Sequence, residues 1–318
     1  MGHKTLSIAL LLADTPPAAV VAKRGDYKRI YPQWLNHALS SIPRHAWQDT
    51  VELDIIPFDV VQQHYPEEGQ LKDGIWDAVI VTGSASSAYA DVPWTNKLSC
   101  WLKHTAYEHP LVRIIGICYG HQIIARALDA PVKLNEHGFE LGVYEVELSD
   151  EGKEYLGYEH GEGIMRIHQV HRDIVASAPP DFQGQTFENL GSTSRCSVQG
   201  LALRYPTDAP PLPSAVSSSD YIAFDISSVE DSSGPAPSRS LHILTLQGHP
   251  EFDAEIVETL IDARTEMGLI QGDLRREGLE RAKREHDGAR IGRAVLAMLG
   301  VEAKRTEEGT VGDGGVGV

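Results

Sequence analysis

Cysteine is scarce in this chain: 318 residues contain three, Cys100, Cys118 and Cys196. An odd count without the close spacing of a zinc site excludes a disulfide framework, and a reducing, cytoplasmic location is the expectation. Basic residues are also in short supply, 28 Lys and Arg against 45 Asp and Glu, for a formal charge of −17. Such a surface repels phosphate backbones and anionic lipid, so neither nucleic acid nor membrane is an expected partner. No apolar run is long enough to span a bilayer: the N-terminal one, Leu6 to Ala13, is short and lacks a small-residue cleavage site, so it reads as a first buried strand. Internal repeats are absent.

What is present suffices for a core, with 42% hydrophobic and 23% charged residues. One large α/β domain over residues 1–301 is expected. Short runs rich in Val, Ile and Leu at Leu6 to Ala13, Val51 to Phe58, Trp76 to Thr82 and Arg113 to Cys118 have the pattern of buried parallel strands. Between them, Tyr27 to Ile42 and Trp94 to His109 carry apolar residues near a 3.6-residue period. This alternation predicts a doubly wound, mostly parallel sheet flanked by helices, with ligands at the carboxyl ends of its strands. The second half has strand-like runs at Leu141 to Leu148, Ile164 to Val170, Val198 to Leu203, Tyr221 to Ile226 and Leu241 to Leu246, which predict a small antiparallel β layer. Residues 206–240, rich in Pro, Ser, Ala and Asp, read as a surface insertion, and the glycine-rich residues 302–318 as a disordered tail. Arg275 to Arg293 reads as one solvated helix face, with Leu274, Leu279, Ala282, Val295 and Leu299 turned inward.

The segment that carries chemistry is Arg113-Ile114-Ile115-Gly116-Ile117-Cys118-Tyr119-Gly120-His121-Gln122. An apolar strand enters Gly-x-Cys-x-Gly and leaves as a helix, the setting of a nucleophile elbow with cysteine in place of serine. Glycine on each side removes Cβ atoms that would collide in so tight a turn. The thiol then sits at the positive end of a helix, where negative charge is favoured, and backbone N–H groups such as that of Tyr119 are available to an oxyanion. The competing reading makes Cys118 a small buried hydrophobe. Cys100 and Cys196 are read as structural.

A thiol nucleophile needs a histidine to exchange its proton and a third group to orient that histidine. Among fourteen histidines the best placed is His249, in Leu246-Gln247-Gly248-His249-Pro250-Glu251-Phe252, where another apolar strand ends. Glu251 can curl back to the imidazole across Pro250. His168 and His171 form a second pair, but their spacing in a strand puts the rings on opposite faces, so they do not share a metal. His121 is expected to pack on the start of the helix. No metal and no cofactor are expected.

With these residues in place, the chain resembles the class I, triad-type glutamine amidotransferases. It is most similar to their stand-alone fungal members and to the plant γ-glutamyl peptidases related to the amidotransferase domain of GMP synthase. The resemblance rests on Gly116 to Gln122 and Gln247 to Phe252, supported by Val81-Thr82-Gly83-Ser84, Phe139-Glu140-Leu141-Gly142 and Val170-His171-Arg172-Asp173. It implies a flavodoxin-like fold, oxyanion N–H groups at Gly83 and Tyr119, and a substrate pocket at Gln122, Glu140 and His171. The implied reaction is cleavage of a γ-glutamyl amide through a thioester on Cys118. Two departures are notable: Gly83-Ser84 stands where the family has Gly-Gly, and no Gly-rich phosphate loop with Lys is present. The leaving group stays open between ammonia, which would call for an ammonia-accepting enzyme as partner, and a cysteinyl peptide. The missing synthetase signature favours hydrolysis without ammonia channelling. A non-catalytic binding subunit is the third reading.

Overall fold

A computed structural model of the chain describes residues 4–42, 51–159, 161–206 and 240–301. The expected strand at Tyr221 to Ile226, nearly all of the 206–240 insertion and the 302–318 tail therefore lie outside the described residues. In chain order the elements are β1 (Lys4–Leu12), α1 (Ala18–Arg24), α2 (Tyr27–Ser41), β2 (Val51–Asp59), α3 (Glu68–Lys72), β3 (Ala78–Val81), α4 (Pro93–Glu108), β4 (Arg113–Ile117) and α5 (Tyr119–Ala127). They continue with β5 (Val132–Leu134), β6 (Glu140–Leu148), α6 (Asp150–Leu156), β7 (Ile164–His171), β8 (Asp173–Val175), β9 (Glu188–Asn189), β10 (Gly191–Ser192), β11 (Gly200–Arg204), β12 (Leu241–Leu246), α7 (Ala254–Glu266), α8 (Gly272–Ala282) and α9 (Gly288–Met298).

The main sheet has seven strands in the order β2-β1-β3-β4-β12-β11-β9. Its first four pairings are parallel, and β11 and β9 add antiparallel strands at one side. The period-two alternation of strands explains how both faces are covered. Leu6, Ile8 and Leu10 of β1, Ile80 of β3 and Ile115 of β4 join Tyr31, Leu35 and Val295 from α2 and α9 on one face. Ala9, Leu11, Val79, Val81 and Ile114 join Leu98, Leu102 and Ile123 from α4 and α5 on the other. A sheet covered on both faces needs strands that are largely apolar, and β3, β4 and β12 are buried throughout, their polar members Arg113, His242 and Thr245 included. Edge strand β2 alternates between half-buried and exposed for most of its length and holds Pro57, which a central strand would not accommodate.

The expected antiparallel layer is present as β10-β6-β7, and a β5-β8 pair lies beside it. One expectation fails. Arg275 to Arg293 is not one helix face but parts of α8 and α9, separated by residues 283–287. The cause is Asp287, whose N–H donates to Arg166 O at 2.7 Å and whose carboxylate accepts from Tyr158 Oη at 2.8 Å and Arg166 N at 2.7 Å. These bonds tie the break to the start of β7. Leu279 and Ala282 on one helix, and Val295 and Leu299 at the other, still face the core. Among the described residues, no helix is long and apolar enough to cross a membrane.

Candidate active site

The strands that carry the two motifs, β4 and β12, are parallel neighbours with Ile117 opposite Leu246. Their carboxyl ends therefore deliver both turns to one edge of the sheet. The turns are joined directly, because the Cys118 N–H donates to Leu246 O at 2.8 Å.

Cys118 is the N-cap of α5 and has φ 54° and ψ −103°, a left-handed conformation that costs a non-glycine residue of order 1–3 kcal/mol. The flanking glycines are there for space. A Cβ on Gly116 would lie 2.6 Å from the Gly120 carbonyl carbon, and one on Gly120 would lie 2.2 Å from Val81 O. Tyr119 opens α5, so its N–H has no partner within the helix and stands next to the sulfur-bearing residue. Cys118 itself is 6% exposed, nearly covered but not sealed.

His249 and Glu251 come together as expected, with Nδ1 donating to Glu251 Oε1 at 2.8 Å. That bond leaves Nε2 for the sulfur. The ring lies flat on Phe252, centroids 4.0 Å apart and planes 3° from parallel, and the His249 N–H donates to His168 O at 2.7 Å. Burial alone would push the imidazole towards neutrality. The charges of Cys118 and Glu251 and hydrogen bonds to both outweigh it and raise the pKa to about 10. The surroundings thus favour the protonated imidazole, held between sulfur and carboxylate.

Gly83 lies against the same ring: a Cβ there would be 2.8 Å from His249 Cε1. Ser84, in place of a second glycine, donates from Oγ to Asp14 Oδ2 at 3.3 Å, and Ala85 N donates to the same oxygen at 2.8 Å. The loop after β3 is in this way pinned to the end of β1.

The three residues expected around the substrate are each engaged within the protein. Gln122 Nε2 donates to Asp173 O at 2.8 Å and to Gln247 Oε1 at 3.0 Å. Gln247 Nε2 in turn approaches Cys118 Sγ at 3.7 Å. Glu140 is fully buried and accepts from His171 Nε2 at 2.9 Å, Thr193 Oγ1 at 2.5 Å and Gln199 Nε2 at 2.7 Å. Burial opposes its ionisation, but these bonds prevail and hold its carboxyl below the ordinary value. His168, by contrast, packs its ring 4.7 Å from that of His286, so the two β7 histidines serve different neighbours. His121 packs inside, Nδ1 2.8 Å from Thr245 Oγ1 of β12.

Sequence reasoning passed over Gln247 and Phe252, although both lie inside the motif that identified His249. A polar residue ending an apolar strand, and an aromatic three residues after an imidazole, were the available signals. It also missed Tyr27 and Tyr31 of α2, whose phenols are pushed well above their usual value by burial first and next by the Glu251 carboxylate.

Comparisons with known proteins bear on the family and the fold. The family described as class-I glutamine amidotransferase matches residues 38–204, just over half of the chain. A glutamine amidotransferase-like protein of Schizosaccharomyces pombe is 28% identical over 92% of this chain and 98% of its own length. Gamma-glutamyl peptidase 3 of Arabidopsis thaliana is 23% identical over 76% of this chain and 79% of its own. A solved glutamine amidotransferase from Thermotoga maritima superposes with a TM-score of 0.56 at 17% identity, covering 93% of this chain and 97% of that one.

Proposed function

For a chain that belongs to the class-I glutamine amidotransferase family, we propose a cysteine hydrolase that cleaves a γ-glutamyl amide through a thioester on Cys118. The observation that carries this reading is the pairing of two turns at one sheet edge, a strained cysteine on one and a His249–Glu251 pair bonded at 2.8 Å on the other. Cys118 Sγ attacks the γ-carbonyl carbon, and the N–H groups of Tyr119 and Gly83 bind the oxyanion. The His249 imidazolium gives its proton to the departing amine, and Glu251 keeps the ring oriented and compensates its charge. The neutral imidazole then activates water, which releases glutamate from the thioester and returns the thiol. In this scheme Gln122 acts through Gln247, and Glu140 acts through His171. A thiol nucleophile needs a reducing compartment, so the same reading assigns the chain to the cytoplasm.

The leaving group distinguishes two versions. With ammonia the protein is a glutaminase that serves an ammonia-accepting enzyme. With a cysteinyl peptide it is a γ-glutamyl peptidase, a version favoured by the Arabidopsis thaliana relatives that bear that name. Incubation with glutamine and with γ-glutamyl-cysteinyl conjugates, with Cys118→Ala as control, tests the proposal. Glutamate release from either substrate, abolished in Cys118→Ala, is expected. Release from neither would leave a binding subunit, and release that survives the substitution would overturn Cys118 as the nucleophile.

A further inference from the structure

The expectation of no metal weighed only the cysteines and the two histidines of β7. Folding assembles a different set. Glu68 opens α3, His104 lies in the last turns of α4, and His109 caps that helix. Both imidazoles turn Nε2 to the Glu68 carboxylate: His104 at 3.2 Å from Oε1 and 3.3 Å from Oε2, His109 at 2.8 Å from Oε1. The three donor atoms all lie within 4.8 Å of one another. The rings stand 5.5 Å apart at 76°, so they converge on one point without stacking.

Bonds of about 2.0–2.2 Å from zinc to imidazole nitrogen and carboxylate oxygen put neighbouring ligands of a tetrahedron roughly 3.3 Å apart. The separations of Glu68 Oε1 from the two nitrogens, 3.2 and 2.8 Å, already fall near that value. The set is held from one side and open on the other. The His109 side chain is 5% exposed, while those of His104 and Glu68 are 49% and 62% exposed. Solvent can thus supply a fourth ligand, and two imidazoles with one carboxylate suit zinc better than the hard, oxygen-seeking calcium or magnesium.

We propose that Glu68, His104 and His109 bind one zinc-class divalent cation, completed by water, which fastens α3 to the C-terminal end of α4. The site is separate from the nucleophile. His109 precedes the start of β4 at Arg113 and Cys118 follows its end, with a five-residue strand between them that spans roughly 16 Å. The cation is a brace on the frame and takes no part in the chemistry at Cys118.

The test uses full-length Cys118→Ala protein, so that the active-centre thiol does not compete for metal, titrated calorimetrically with ZnCl2. Glu68→Gln and His104→Ala, both at exposed side chains that leave the core intact, are made in the same background. One equivalent of zinc is expected, with affinity falling at least 10-fold in each variant and a zinc-dependent rise in unfolding temperature lost in both. Cobalt loading is expected to give the visible d–d absorption of a four- or five-coordinate ion in the parent and not in the variants. No stoichiometric uptake at micromolar metal, or uptake unchanged in both variants, overturns the proposal.

Discussion

Replacement of Gly83 by alanine isolates the contact between the loop after β3 and the imidazole. The new methyl would lie 2.8 Å from His249 Cε1, against an ordinary carbon–carbon contact of about 3.5–4.0 Å, so roughly 0.7 Å of relief is required. His249 cannot supply it freely. Its Nδ1 is held by Glu251 at 2.8 Å, its face by Phe252 at 4.0 Å, and its N–H by His168 at 2.7 Å. Overpacking of this kind costs about 1–3 kcal/mol, and a catalytic group displaced by about 1 Å loses on the order of 10² in rate. Urea unfolding should therefore show lower stability, and kcat/KM for glutamate release should fall about 10- to 100-fold, although the Gly83 N–H is retained. Gly69→Ala is the control: its Cβ would meet nothing within 4 Å, and the helical setting predicts a gain of about 0.5–1 kcal/mol. A Gly83→Ala protein as stable as the parent, with kcat/KM within about twofold, would refute the reasoning that the ring is clamped.

Other perturbations test neighbouring links. Glu251→Gln removes a charge that helps hold His249 protonated, and kcat is expected to drop about 10³- to 10⁴-fold with the fold retained by circular dichroism. Gly120→Ala drives a methyl to 2.2 Å from Val81 O in a central strand, and a loss of about 3 kcal/mol in urea unfolding is expected. Burial lowers the pKa of His121 and His168 to about 3 and of His242 to about 4, from 6.5. Below pH 6.5 the unfolded chain binds protons that these folded rings refuse. Stability should fall by about 1.4 kcal/mol per pH unit for each, about 4 kcal/mol for the three, until pH nears their folded values. His249 acts in the opposite sense: its contribution is complete below 6.5 and is lost as pH rises through about 10. Unfolding midpoints at pH 4, 5, 6 and 7 that do not change would contradict the acid-side prediction.

The central strands were legible because a strand covered on both faces must be largely apolar, as β3 is throughout and β4 and β12 are but for Arg113, His242 and Thr245. The elbow was legible because its steric demand falls on Gly116 and Gly120, each two positions from the residue they serve. Strands β9 and β10, two residues each, are too short to display a period. The break between α8 and α9 depends on Asp287 meeting Arg166 and Tyr158, bonds between residues more than a hundred positions apart. The Glu68, His104 and His109 cluster joins α3 to the end of α4 across 36 and 41 positions, and Gln247 reaches Cys118 across 129. Their meaning arises when the fold sets them side by side.

Antiparallel pairing of β11 with β12 sets Arg204 opposite Leu241, and Tyr205 N donates to Ser240 O at 2.9 Å. The described chain therefore leaves at Pro206 and resumes at Ser240, at the strand end remote from His249. A change in the length of chain between Pro206 and Ser240 acts first on this closing bond, at the end of β12 far from His249. Sequence change there enters the fold at the rim opposite the one that holds Cys118, His249 and Glu251, so the two rims are free to diverge separately.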